Sequence, residues 1–185
     1  ADVLNGKVGI VLTPFKGFNL SGNVGLMNDN TRYNALYSQF AGSSSVDGQA
    51  YVSHSRAFAV NSQILADYGT DFGGTDHHLD ILAGFEAYKV LSQSLSGQND
   101  HLFNPFIGEL NNADGKANQY ANSSSTQYMT QGFLGRVQYN YGERYFVSGS
   151  FRRDASTRFH KDHRWGNFGS VGAAWLMSAE EWMSG

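Results

Sequence analysis

Strict alternation of residue types between positions 145 and 154 constrains this chain more than any other feature of its sequence. One side of the alternation carries Tyr145, Val147, Gly149 and Phe151, and the other carries Ser148, Ser150, Arg152 and Asp154. A period of two places successive side chains on opposite faces of a β-strand. One face of this strand is therefore apolar and the other is charged, so the two faces must meet different surroundings.

Similar extended patterns recur along most of the chain. They predict strands at about 7–14, 18–26, 50–72, 77–91, 133–141, 145–154 and 164–177. The predicted fold class is therefore all-β, an antiparallel up-and-down meander of about seven strands. Near the end of the chain, Ser178 precedes Glu181 by three residues, which is the spacing of a capping box before a helical turn.

The predicted connections differ sharply in length. Short turns at 14–17, 73–76 and 142–144 alternate with long polar links at 28–49 and 96–126. Outer-membrane barrels have this asymmetry, with tight periplasmic turns and long extracellular loops. Aromatic residues near predicted strand ends would suit an interfacial girdle; they are Tyr139, Tyr141, Tyr145, Trp165 and Trp175. A soluble β-sandwich, such as a carbohydrate-binding module, also alternates, so the pattern alone leaves both architectures open.

Composition excludes several classes of protein. The net charge of -3 provides no basic field for nucleic acid. The absence of cysteine excludes a disulfide framework, a thiolate metal site and a cysteine nucleophile. No apolar run approaches the roughly 20 residues of a spanning helix. The first residues lack a basic region followed by an apolar stretch, so a signal peptide is absent, was removed or lay upstream.

No motif predicts catalysis, a cofactor or a metal. The clusters "DHHLD" (76–80) and "HKDH" (160–163) contain possible metal ligands, but His77 and His78 would point to opposite faces of a strand. No set of four ligands has zinc spacing, and no Gly-x-Ser-x-Gly motif is present. The chain is therefore predicted not to be an enzyme. If it were a glycan-active enzyme, the candidate carboxylates would be Glu86, Glu109 and Glu143.

The segment "YNYGERYFVSGSFRRDASTRFHKDHRWGNFGSVGAAWLMSAEEWM" carries a specific resemblance over about 45 residues. It closely resembles a stretch of the SusC/RagA-type TonB-dependent outer-membrane transporters of Bacteroidetes. The matching positions are Tyr139, Tyr141, Tyr145, 150–159 and 164–175. Residues 64–88 resemble the preceding hairpin of that family more loosely. Leu176 departs from the family, which often has a basic or polar residue there.

The resemblance implies a fold and a function larger than this chain. Members have a barrel of about 22 strands with a plug domain inside, and an N-terminal segment that engages TonB. No plug is recognisable here, so residues 1–185 are predicted to be a partial barrel domain without the plug and the TonB box. The implied function is active import across the outer membrane. The implied substrate is an oligosaccharide or, less often, an oligopeptide, and the implied partners are a SusD-like surface lipoprotein, the TonB complex and outer-membrane lipid.

The resemblance also assigns environments to the two strand faces. Tyr145, Val147, Gly149 and Phe151 would face lipid, and the alternate residues would face a wet lumen that holds the plug. A structural network at the lumen or rim is predicted to comprise Arg136, Arg152, Asp154 and Arg158. Arg153 has the opposite parity and is expected to snorkel at the outer rim.

Ligand contact is expected from the two long links. The candidate residues are Tyr37, Phe40, His101, Phe103 and Phe106. Aromatic faces beside asparagine and aspartate could stack on sugar rings. The alternative is that these residues pack against neighbouring loops or against the lid protein, because long ordered loops must bury something of their own.

Overall fold

The computed structural model describes residues 1–40, 48–74, 76–114 and 119–183. Within these ranges the strands are β1 Asp2–Phe15, β2 Phe18–Tyr37, β3 Gln49–Phe72, β4 His77–Asp100, β5 Tyr120–Tyr141, β6 Tyr145–Ser156 and β7 Trp165–Trp175. They form one sheet in chain order, β1 to β7. The predicted all-β, antiparallel meander is confirmed.

The short turns lie where the sequence predicts them. Gly17, Gly73 and Gly142 have φ values of 85°, 63° and 56°, in the left-handed region that glycine adopts without strain. The turn between β1 and β2 consists of Lys16 and Gly17. β1 therefore ends at Phe15, one residue later than the predicted end at Pro14. Each of these turns joins two neighbouring antiparallel strands.

The long links are shorter than predicted. β2 continues to Tyr37, β4 continues to Asp100, and β5 begins at Tyr120. The assignment of 28–37, 96–100 and 120–126 as irregular was therefore wrong, whereas 38–40, 48, 101–114 and 119 lie outside the strands as predicted; 41–47 and 115–118 are outside the described residues. Some polar side chains at these strand ends are exposed, such as that of Ser94, whose hydroxyl shares a hydrogen bond of 2.7 Å with the hydroxyl of Ser124. Asn99 and Asp100 are buried instead, and each has a partner: Nδ2 of Asn99 donates to the carbonyl of Leu110 at 3.0 Å, and Oδ1 of Asp100 accepts from Nε2 of Gln49 at 3.0 Å. Tertiary pairing here outweighs low strand propensity.

The predicted capping box at the end of the chain is wrong. Met177–Ala179 forms a 3-10 turn that contains Ser178, and a second 3-10 turn covers Glu181–Met183. The residue before the first turn is Leu176, which makes no side-chain cap. The helices in the described ranges are 3-10 turns of three residues. None of them has the length and hydropathy needed to cross a membrane.

The chain divides into two compact units. Unit 1 consists of Ala1–Gly6, Leu26–Ala59 and Val90–Gln127, and unit 2 consists of Lys7–Gly25, Val60–Lys89 and Tyr128–Gly185. Unit 1 contains the connection between β4 and β5. Unit 2 contains the three short turns and the whole of β6 and β7.

The described residues do not enclose a dry core. No large side chain among them is fully buried, and the buried apolar residues are Ala50, Ala59, Val90, Leu102 and Ala155. The accessible surface is 12813 Å² for a chain of 20.3 kDa, whereas a folded soluble monomer of this mass exposes about 8,800 Å². A soluble β-sandwich needs a second layer to bury one face of each sheet, so the sandwich alternative is not the fold.

Candidate functional site

The strand register of unit 2 fixes which side chains share a face. Leu134 of β5 pairs with Arg152 of β6, and Arg152 pairs with Phe168 of β7. Directly paired residues of antiparallel strands point to the same side of the sheet. The even-numbered residues of β5, β6 and β7 therefore form one face, called here the polar face, and the odd-numbered residues form the other, called here the apolar face.

The apolar face of unit 2 is exposed. Val147, Phe151, Val171 and Trp175 have 52%, 53%, 88% and 50% of their surface accessible. At one end of this face, Cζ of Arg153 lies 4.8 Å from the centroid of the Trp165 ring. That contact keeps the Arg153 charge against an aromatic ring at the strand end.

An ion-pair cluster occupies the polar face. Nη2 of Arg152 donates to Oε2 of Glu86 at 3.0 Å, and Nε donates to both oxygens of Asp154 at 2.8 and 2.9 Å. Nε2 of Gln63 donates to Oε1 of Glu86 at 2.6 Å. These four residues, called here the Arg152 cluster, connect β3, β4 and β6 through side chains. The Arg152 guanidinium group thus pairs with two carboxylates, those of Glu86 and Asp154.

Gly132 on β5 makes room for this cluster. It pairs with Asp154 and lies on the strand between β4 and β6. A Cβ atom at this position would overlap Oδ1 of Asp154 and would lie 3.3 Å from Nη2 of Arg152. Arg152 can therefore bridge to Glu86 across β5 because residue 132 has no side chain.

The network predicted from the sequence shares two members with the Arg152 cluster. Arg152 and Asp154 are in contact, but the other two predicted members lie elsewhere in unit 2. Arg136 lines a separate cleft with Asp67 and Asp80, and Cζ of Arg158 lies 4.0 Å from the centroid of a tyrosine ring at position 128. Gln63, Glu86 and Gly132 were missed as members of the cluster, although the alternation along 77–91 places Glu86 on the polar side of its own strand with His78 and Asp80.

A cleft of about 680 Å³ adjoins the Arg152 cluster in unit 2. Its apolar lining includes the rings of Tyr88, Phe159 and Phe168, and its polar lining includes Asn61, Gln131 and Arg152. We call it the Arg152 cleft. It combines aromatic surface with hydrogen-bonding groups, the combination found in small-molecule sites.

Aromatic rings collect beside the short turns of unit 2. Tyr145 stacks against Tyr141 at 6.2 Å and against Trp175 at 6.3 Å, and His77 lies 4.8 Å from Tyr141. Tyr139 contacts the same histidine through a 2.6 Å hydrogen bond. Trp165 lies at the other end of β7 from Trp175, so the predicted girdle residues lie near both ends of the strands of unit 2.

Glu180, in the turn after β7, hydrogen-bonds two of these aromatic residues, Tyr145 and Trp175. Its Oε1 accepts from the hydroxyl of Tyr145 at 2.6 Å and from Nε1 of Trp175 at 3.0 Å. Arg144 lies 3.6 Å from Oε2. The Tyr145 hydrogen bond, followed by the Trp175 hydrogen bond, lowers the pKa of Glu180 below its ordinary value of 4.5.

We expect Glu180 to act as an acid-sensitive clamp on Trp175. The carboxylate is favoured in the folded state, so its stabilising contribution is complete above the ordinary pKa and is lost as pH falls through the lowered pKa. In a W165F/W182F background, Trp175 fluorescence should stay constant to below pH 4.5 and change only in stronger acid. Glu180→Gln should remove this transition and Glu143→Gln should keep it. A wild-type transition above the ordinary pKa would contradict the assignment.

The connection between β4 and β5 in unit 1 is ordered by one asparagine. Nδ2 of Asn112 donates to the carbonyls of Asn104 and Ile107 at 2.7 and 2.8 Å, and its Oδ1 accepts from the Asn104 amide at 3.1 Å. Arg32 on β2 donates Nη2 to both oxygens of Glu109 at 2.8 Å. These bonds fix residues 101–114, called here the 101–114 loop, to itself and to β2.

The 101–114 loop presents aromatic rings to solvent. Phe103 and Phe106 are 73% and 83% exposed, and Phe40, also in unit 1, is 73% exposed. Tyr37 ends β2 and is 54% exposed. His101 begins the loop with a φ of 58°, and its amide donates to the carbonyl of Gly48 at 3.1 Å. The hydrogen bonds of Asn112 thus order the backbone of the 101–114 loop, while the rings of Phe103 and Phe106 stay exposed to a ligand.

Asn112→Ala should loosen the 101–114 loop. It removes three hydrogen bonds, each worth about 1 kcal/mol net, so a loss of up to about 3 kcal/mol of local stability is expected. Chymotrypsin cleavage at Phe103 and Phe106 should accelerate about tenfold to a hundredfold, because every 1.4 kcal/mol is one factor of ten and cleavage follows local opening. Asn111→Ala, at the exposed neighbouring position, is the control and should leave the rate unchanged. Equal rates in both variants would show that Asn112 does not order the loop.

The three glutamates considered for hydrolysis occupy different settings. Glu86 belongs to the Arg152 cluster, and Glu109 pairs with Arg32. Glu143 lies in the turn between β5 and β6 with a φ of 54°. Among the described residues, no group of three or more histidine, aspartate or glutamate side chains could hold a metal ion.

Comparison with known proteins places these features in context. No family model matches the sequence. The TonB-dependent receptor P39 of Formosa agariphila is 27% identical over 107 residues, which cover 58% of this chain and 10% of the receptor. The TonB-dependent receptor P3 of the same organism is 26% identical over 139 residues, covering 75% and 14%. The TonB-dependent receptor SusC of Bacteroides thetaiotaomicron is 37% identical over 51 residues, covering 28% and 5%.

The chain resembles TonB-dependent receptors of the SusC type. The resemblance seen in the sequence motif is thereby confirmed. Two solved structures share the fold. The RagAB peptide transporter matches with a TM-score of 0.87 at 21% identity, over 94% of this chain and 20% of that chain. The RagAB peptide importer in its closed-closed state matches with a TM-score of 0.91 at 19% identity, over 99% and 20%. The chain therefore spans about a fifth of these solved chains and at most 14% of the three receptors P39, P3 and SusC.

Proposed function

We propose that residues 1–185 form part of the barrel wall of a SusC-like TonB-dependent transporter that imports a nutrient across the outer membrane and catalyses no reaction. The observation that carries the proposal is the division of the unit 2 sheet into an exposed apolar face and a face that bears the Arg152 cluster. Lipid would cover the first face, and the second would line a wet lumen. In this arrangement the charge of Arg152 would be solvated or paired at membrane depth.

The edges of the sheet support a partial barrel. Within the described residues, β1 and β7 are each paired on one side only. β1 is rich in exposed apolar residues, among them Val8, Ile10 and Leu12 at 72%, 62% and 55%. Soluble proteins protect such edges from pairing with other chains, whereas a closed barrel removes them. We infer that further strands of the same barrel pair with both edges.

The proposed substrate is an oligosaccharide, with an oligopeptide as the alternative. The exposed rings of Phe40, Phe103 and Phe106 support the first, because aromatic faces can stack on sugar rings. The peptide alternative rests on the solved structures of similar fold, which are described as a peptide transporter and importer. The proposed partners are a SusD-like surface lipoprotein as lid, the TonB complex as energy source, and outer-membrane lipid.

The test is uptake by cells that express the complete protein carrying these residues. Fluorescent oligosaccharides and oligopeptides should be compared with and without a functional TonB complex. Saccharide uptake is expected to require TonB. The F103A/F106A variant should weaken apparent affinity about tenfold, since two aromatic contacts are worth roughly 1–3 kcal/mol, while Ile107→Ala on the same loop should not. Uptake that persists without TonB would reject the transporter proposal, and uptake of peptides alone would reject the saccharide.

A further inference from the structure

The Arg152 cleft has the size and lining of a ligand site. Its volume of about 680 Å³ lies within the range of about 300–1,000 Å³ for small-molecule sites. Phe159 and Phe168 line it and are each 61% exposed. A Cβ atom on Gly166 would lie 3.2 Å from the Phe168 ring. The Phe168 ring thus packs against a bare stretch of strand and still offers much of its surface to the cleft.

The charges that line the cleft balance one another. Glu86 and Asp154 supply two carboxylates, and Arg152 and Arg164 supply two guanidinium groups. Arg152 is paired with both carboxylates, and Nε of Arg164 donates to the carbonyl of Phe159 at 3.3 Å. The carboxylates and guanidinium groups of the lining are equal in number, so an uncharged ligand suits it better than an ionic one.

Donors and acceptors remain available beside these rings. Among the described residues, Nη1 of Arg152 has no hydrogen-bond partner, since the contacts to Glu86 and Asp154 use Nη2 and Nε. The carboxylate oxygens of Glu86 each accept one bond and have a second lone pair. The cleft can therefore donate to a ligand oxygen and accept from a ligand hydroxyl at neighbouring points.

The backbone of the inner strands that line the cleft is not available for recognition of a peptide main chain. β5 lies between β4 and β6, and β6 lies between β5 and β7, so both strands are paired on each side. β7 also lines the cleft and is paired on one side among the described residues, but in the proposed barrel a further strand pairs with its other side. Extended peptides are commonly recognised by adding a strand to a free edge. A ligand with its own hydroxyl groups and an apolar ring face needs only the side chains that this cleft provides.

We propose that the Arg152 cleft is a binding subsite for an uncharged saccharide unit, with Phe168 stacking on the sugar ring and Arg152 and Glu86 hydrogen-bonding its hydroxyls. The inference rests on the proposed function, because it assigns the imported saccharide a second contact in unit 2, apart from the 101–114 loop of unit 1. Phe168 then contributes to saccharide affinity.

Binding to the complete protein in detergent micelles tests the subsite. The probes are maltoheptaose, cellohexaose and mannohexaose as neutral saccharides, hexagalacturonate as an anionic saccharide, and a neutral hexapeptide. Calorimetry should detect at least one neutral saccharide, and Phe168→Ala should weaken its affinity tenfold or more. Phe151→Ala removes the same ring from the apolar face of the adjacent strand and should leave affinity unchanged. Equal thermal unfolding of both variants would verify that they are folded.

The remaining outcomes distinguish failure of the subsite from failure of the proposed function. Saccharide affinity that is the same in F168A and wild type, with uptake still dependent on TonB, would overturn the subsite and leave the transporter. Binding of the hexapeptide or of hexagalacturonate that is lost in F168A would overturn the uncharged saccharide as ligand. No binding of any neutral saccharide would also overturn it. Uptake independent of TonB would instead refute the proposed function.

Discussion

Val171→Arg should lower the unfolding free energy of the complete protein in lipid vesicles. Val171 lies on the apolar face of β7 and is 88% exposed. If lipid covers that face, an arginine near the midplane costs about 2–4 kcal/mol of unfolding free energy. If water covers it, the same change at so exposed a position costs less than about 0.5 kcal/mol. The two interpretations therefore differ by an amount that denaturant titration in vesicles resolves.

Ser170→Arg is the matched control for Val171→Arg. Ser170 is the preceding residue of β7, lies on the polar face, and shares a hydrogen bond of 2.7 Å with Ser150. Its replacement removes that bond, worth about 1 kcal/mol, but leaves the new charge in a wet lumen. Both substitutions add the same charge, so a larger loss of stability in Val171→Arg than in Ser170→Arg would be due to the sheet face on which the arginine lies. Equal tolerance of both substitutions would reject a lipid-facing sheet.

Gly132→Ala should disrupt the Arg152 cluster. The added methyl group overlaps the Asp154 carboxylate, so Asp154 must move away and release Nε of Arg152. Overpacking of this kind costs about 1–3 kcal/mol, and the lost ion pair adds little because its partners are partly exposed. The expected measurement is a lower midpoint of unfolding in urea for the complete protein in micelles.

Two comparisons identify the cause of the Gly132→Ala effect. Gly135→Ala changes a glycine of the same strand whose Cβ would come no nearer than 3.9 Å to another residue's atoms, so it should be tolerated. In an Asp154→Ala background, Gly132→Ala should cost much less, with a coupling energy of about 1 kcal/mol or more. Additive effects of the two substitutions would show that Gly132 and Asp154 act independently.

The local pattern of the chain predicted the fold well. Alternation along 145–154 identified both faces of β6 before the register with β5 and β7 was known, because side-chain direction in a strand depends only on parity. The short turns were found because glycine at positive φ leaves a signature in sequence. The ends of β2, β4 and β5 were missed, since polar residues enter a strand when a neighbouring strand satisfies their backbone, and that neighbour is distant in sequence.

The candidate site was less accessible to sequence reasoning. Arg152 and Asp154 were linked because they are two residues apart on one strand. Glu86 lies 66 residues from Arg152, and the space at Gly132 exists only once β4, β5 and β6 are side by side. Alternation placed Arg136 on the same strand face as the rest of its group, but a shared face does not specify which residues are neighbours across a sheet.

The glycine opposite Asp154 also limits how β6 can slide along β5 during assembly. A slip of one position would turn Arg152 toward the apolar face. A slip of two positions would keep the faces but set the Asp154 carboxylate opposite Leu134 or Thr130 in place of the bare backbone at Gly132. Of these alignments, only the native one sets a glycine opposite Asp154, so the cluster favours the native register of β5 and β6.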